Sequence, residues 1–109
     1  MNPFRDLLAR GLVVGAGTDS PITDLDPFAT LDALERHHDP GQRLSRDESL
    51  RLATTGSARL SNQEDKKGAL EPGMHADFAA YDADPLGQDR PAAPRPIVTV
   101  SLGREVFAN

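Results

Sequence analysis

A carboxylate stands between two hydroxyl residues and is closed by proline in Thr18-Asp19-Ser20-Pro21, directly after the apolar, glycine-bearing run Leu12 to Gly17. That run lacks alternation, the pattern of a strand buried on both faces, as in a parallel sheet flanked by helices. Asp19 then falls at the C-terminal end of a strand, where α/β sheets and barrels gather their ligands and catalytic groups. Position favours chemistry at Asp19, although one carboxylate specifies no reaction.

The other candidates read differently. His37 and His38 are adjacent; on a helix their side chains diverge by about 100°, whereas a helical metal pair needs i, i+4 spacing. Favourable charge near a helix C-terminus explains them better. His75 follows the Pro72-Gly73 turn, where an exposed imidazole needs no functional role. Asp47, Glu48, Asp65, Asp82 and Asp84 fit caps, solvated faces and turns. The Gly-Ala-Gly-Thr-Asp-Ser stretch fails as a dinucleotide fingerprint, because Ser20 stands where Gly or Ala is needed and Pro21 interrupts the helix start. No P-loop lysine and no G-x-S-x-G elbow occur, so phosphate transfer and serine hydrolysis lose their signatures.

Composition narrows the classes further. A chain of 109 residues suits one modest core. The net charge of -5, with both signs interspersed, argues against a nucleic-acid footprint. Without cysteine, disulfides and thiolate chemistry are excluded, and any metal must be held by His, Asp or Glu. The longest apolar run is far short of a membrane span, and no signal-peptide pattern opens the chain, so the expected location is cytoplasmic.

Around Asp19, local signals place the elements. Asn2-Pro3 predicts a helix start with Asn2 as cap, followed by Phe4, Leu7 and Leu8 on one face until Gly11. Asp26-Pro27 repeats that signature before the stripe Phe28, Leu31, Leu34. Ser45 and Glu48 form a capping box, with Leu50, Ala53 and Leu60 at helical spacing behind it. Glu71-Pro72-Gly73 predicts a type II turn, and Phe78 to Asp82 a strand. Ile97 to Leu102 alternates, and Gly103-Arg104 is expected to turn it into a hairpin with Glu105 to Phe107. Pro85 to Pro96 reads as an irregular connection. The pattern is α/β over residues 1–62, followed over 63–109 by a small antiparallel β unit. A strand buried on both faces needs neighbours on both edges, and only one such run is present, so the sequence looks incomplete.

In order, VVGAGTDSP, LDPFATLDAL, LSRDESLRLATTGSARL, KKGALEPGMHADFAAYDADPL and VTVSLGREVF resemble the C-terminal end of an amidohydrolase-superfamily enzyme, in the branch called amidohydrolase family 3. The resemblance covers nearly the whole chain. It implies the last strand and helix portion of a metal-dependent TIM-like barrel (1–62), followed by the C-terminal strands of a small composite β-sandwich (63–109), an incomplete fold. Asp19 matches the aspartate after the eighth barrel strand, which implies that it is a metal ligand and proton shuttle. Ala76-Asp77 matches a structural signature of the sandwich, with Met74-His75 replacing a Lys-Leu-like pair. The implied reaction is attack of metal-activated water on an amide or related carbonyl carbon, a carbon-nitrogen bond other than a peptide bond being broken.

The family's H-x-H pair, its bridging lysine or carboxylate and its two later histidines are absent. Catalytic zinc takes three protein ligands plus water, and only Asp19 matches one. The resemblance therefore implies zinc or another divalent metal for the complete fold, not bound stably by this chain alone, and a small amide or cyclic amide as substrate. No nucleic acid or membrane partner is expected. The chain reads as a fragment inactive by itself, completed by a missing barrel chain or self-associating. A rival of another class is a non-enzymatic interaction or oligomerisation module whose exposed strand edges pair with another chain.

Overall fold

The computed structural model describes residues 2–87 and 94–109. Helix α1 (Phe4–Ala9) has Pro3 at its N-cap, which offers no side-chain acceptor, and its first turn is met from a distance: the Asp6 amide donates to Gln42 Oε1 at 3.2 Å. Asn2, expected as the cap, instead precedes it with a positive φ of 55°, and it is its carbonyl that accepts the Phe4 amide, at 2.8 Å. Helix α2 (Pro27–Glu35) begins as its residues predict: the Asp26 carboxylate accepts from the Phe28 and Ala29 amides, with Pro27 at the first helical position. Its stripe Phe28, Leu31 and Leu34 is buried. A single 3-10 turn, Pro40–Gln42, leads to α3 (Arg46–Arg51), where Ser45 and Glu48 make the full reciprocal capping box.

Helix α3 runs without a break through a π turn, Leu52–Gly56, into α4 (Ser57–Leu60). Leu34, Leu44 and Leu52 form the core, with Phe4, Leu8, Val14 and Ala16 packed against it. The expected stripe on this helix is displaced. Ser49, Leu52 and Ala58 are buried, whereas Leu50 and Ala53 border an open cleft of about 860 Å³ between the helix and β1 (Phe78–Tyr81). Leu60, at the helix end, is exposed.

Two charged clusters tie the helices together. Arg5 on α1 grips Glu48 on α3 with both guanidinium arms, Nη1 to Oε1 at 2.9 Å and Nη2 to Oε2 at 2.8 Å. The Arg5 hydrogen bonds, helped by the Ser45 backbone amide, hold the Glu48 carboxyl below its ordinary pKa. Arg46, buried at the start of α3, pairs with Asp32 and with Glu35 (Nε to Oε2, 3.1 Å) on α2. Neither arginine stands out from sequence periodicity, because each acts across elements.

Leu12 to Gly17 is not a strand. It makes no ladder among the described residues; the Ala16 amide donates to the Leu52 carbonyl at 3.1 Å, and the Leu12 amide donates to Leu7 at 3.1 Å. The expectation of burial on both faces is corrected too: Leu12 and Val13 are exposed and Val14 to Ala16 half-buried. A strand exists only by hydrogen bonding to a neighbour, and here the neighbour on the covered side is a helix. Glycine permits that approach. A Cβ at Gly56 would lie 2.2 Å from the Val14 carbonyl oxygen, and one at Gly15 would lie 2.6 Å from Leu60 Cδ1.

The second half is a three-stranded antiparallel sheet in the order β1-β2-β3, with β2 (Pro96–Ser101) central and β3 (Arg104–Ala108) at one edge. The turn Glu71-Pro72-Gly73 closes as predicted: Met74 donates to Glu71 at 3.1 Å and Gly73 has a φ of 91°. The hairpin turn falls one residue earlier than expected. Ser101 pairs with Arg104, so Leu102 and Gly103 are the turn, with φ of 50° and 74°, the positive values that match strand twist in a two-residue loop. Leu102 tolerates this because its amide donates to Asp77 Oδ1 at 2.7 Å, while Gly103 donates to Ala76 at 3.0 Å. An edge-on contact between Phe28 and Tyr81, centroids 5.2 Å apart, joins sheet to helices. Of the expected irregular connection Pro85 to Pro96, residues 88–93 lie outside the described residues.

Gly56→Ala is expected to lower the unfolding free energy by about 2 kcal/mol, as forced overpacking does. Gly17→Ala, where a Cβ meets nothing within 4 Å, is expected to change it by less than about 0.5 kcal/mol; urea denaturation of both variants checks the contrast. Glu48 supplies a pH test. Its carboxyl ionises more readily folded than unfolded, so its contribution is complete above the ordinary carboxylate range and is lost as pH falls through the depressed folded value. Glu48→Gln should therefore flatten the acid limb of a plot of denaturation midpoint against pH and leave the neutral limb parallel to the parent's.

Candidate functional site

The residues before Asp19 are anchored through one helical carbonyl. The π turn brings Ser57 Oγ to 2.9 Å from the Leu52 carbonyl, which also accepts the Ala16 amide, and the same hydroxyl lies 3.2 Å from the Ala16 carbonyl. One serine thus binds both sides of the contact. The segment is fixed up to Ala16, and the loop carrying Asp19 starts two residues later.

That loop is closed on itself. The Asp19 carbonyl accepts from Ile22 at 2.9 Å and from Thr23 at 3.4 Å; the Ser20 amide donates to Thr18 Oγ1 at 3.3 Å, and the Thr23 hydroxyl donates to the Thr18 carbonyl. Asp19 has a φ of 60°, a left-handed conformation that Asp and Asn adopt more readily than most residues. Its side chain is exposed, and its carboxylate accepts no hydrogen bond from any described residue. The backbone of this turn is committed, while the carboxylate is free to act on something outside it.

The histidines do not join it in a metal site. Helix α2 stops at Glu35, so His37 and His38 lie beyond it and do not diverge as helical neighbours would; their rings sit 4.3 Å apart, tilted by 30°. His37 is buried, with its ring edge-on to Phe4 at 5.6 Å and its Nδ1 accepting from the Asp39 amide at 3.1 Å. Both border a hollow of about 630 Å³ with Gly15, Gly17, Thr30 and Arg36. Arg36 there is a cation that spacing alone did not single out. His75 is exposed, as expected, with its Nδ1 3.8 Å from Asp77 Oδ2.

Among the described residues, no group of three or more His, Cys, Asp or Glu comes together to hold a metal ion. Asp19 offers one carboxylate where catalytic zinc takes three protein ligands, so these residues by themselves do not fit such a centre. Two other carboxylates serve the fold: Asp82 accepts from the Arg95 amide at 2.8 Å, which with the Arg95 guanidinium keeps its pKa below the usual range, and Asp84 Oδ1 accepts from Leu86 at 2.8 Å. No described helix is long and apolar enough to cross a membrane.

Comparison with known proteins gives this geometry a family. The model of the "Amidohydrolase family" matches residues 1–107. An imidazolonepropionase of Solibacter usitatus is 31% identical over 85 residues, 73% of this chain and 19% of its own length. An N-substituted formamide deformylase of Arthrobacter pascens is 28% identical over 91 residues, 77% of this chain and 17% of its own. The crystal structure of atrazine chlorohydrolase TrzN from Arthrobacter aurescens, complexed with zinc, superposes on 98% of this chain and 28% of its own, with 30% identity and a TM-score of 0.75. The chain spans less than a fifth of the length of the curated relatives it matches. With the match running from the first helix through the last strand, the chain belongs to the amidohydrolase family.

Proposed function

We propose that this chain is the C-terminal part of a metal-dependent hydrolase of carbon-nitrogen bonds other than peptide bonds, to which it contributes Asp19. In this reading residues 1–62 are the closing strand and helix portion of a TIM-like barrel, where the run 12–17, which makes no ladder among the described residues, would take strand neighbours from the rest of the barrel, and residues 63–109 are strands of a composite β-sandwich. The observation that carries it is the state of Asp19: the segment leading into its turn is pinned at Ala16 to the π turn and α4 through Leu52 and Ser57, and its exposed carboxylate has no partner among the described residues. A carboxylate so placed can take the proton of an attacking water and return it to a leaving nitrogen.

Family membership supports the reaction class, and the substrates named in the relatives above support a small amide or cyclic amide as substrate. Zinc or another divalent metal would supply polarisation of the carbonyl and activation of water in the complete fold. The ligands beyond Asp19 would come from outside the described residues, and the cytoplasm is the proposed location. Asp19 is then the residue through which this chain touches the chemistry.

Elemental analysis of the purified 109-residue chain should find well under one zinc per chain, and the chain should leave N-acyl amino acids and cyclic amides intact. Expressed together with the in-frame coding sequence upstream of Met1, it should retain zinc and hydrolyse an amide, with Asp19→Asn lowering kcat by about 100-fold or more. Tight stoichiometric zinc in the chain alone, or turnover indifferent to Asp19→Asn, would overturn the proposal. A stability measurement separates the carboxylate's chemistry from its turn. Asp19→Asn should stay within about 0.5 kcal/mol of the parent, since Asn also accepts a positive φ, whereas Asp19→Ala should lose about 1 kcal/mol.

A further inference from the structure

We draw no further inference here: the strongest candidate, the apolar cleft between the α3 and α4 helix and strand β1 bordered by Leu50, Ala53, Leu70 and Phe78, is an unpartnered surface, and nothing in the structure shows what covers it.

Discussion

The Leu52 carbonyl governs the placement of the candidate site. In an uninterrupted α-helix such a group is consumed by the amide four residues on. Here the π turn Leu52–Gly56 widens the helix by one residue, and the Leu52 oxygen accepts the Ser57 amide five residues on, the Ser57 hydroxyl and, from outside the helix, the Ala16 amide. A π turn is uncommon and tends to occur where a helix serves something beyond its own hydrogen bonding. In this chain it fixes the height at which residues 12–17 lie on the helix. Gly15 and Gly56 are the residues that let the two backbones come this close.

Around that contact the helices are held by apolar burial and by arginines reaching between elements. Leu34, Leu44 and Leu52 exclude water at the centre. Arg46 is buried against two carboxylates of α2, so removing the arginine would leave both uncompensated, although a buried pair is weak evidence of net stabilisation. Arg5 is more exposed; its value lies in the bidentate geometry that also completes the Ser45 and Glu48 cap. Capping and ion pairs therefore converge on α3, which runs straight into the π turn and α4 on which residues 12–17 rest.

Short-range chemistry was legible in the residues themselves. Asp26-Pro27, Ser45 with Glu48, and Pro72-Gly73 each act within four residues, and each forms as their types require. The prominence of Asp19 also came from local pattern, an apolar run followed by a polar turn. What misled, apart from the Asn2-Pro3 cap, was decided at longer range. An apolar run does not say whether a strand or a helix lies beside it, and Leu12 to Gly17 met a helix. The histidine pair depended on where α2 stopped, and the hairpin turn on a carboxylate 25 positions earlier in the chain. The π turn left no signal beyond an ordinary Thr-Thr-Gly, although its consequence is the largest in the structure.

That distant carboxylate changes how the sheet holds together. Asp77 precedes β1 yet secures the amide of Leu102 in the turn between β2 and β3, and Ala76 secures the next amide. A hairpin closed only by its own two strands could open and reform while β1 stayed in place. Here the tip of the hairpin is latched to the entrance of the strand on the far side of β2. The three strands are consequently tied together at this end, and the Leu102 amide loses its partner only when the start of β1 lets go.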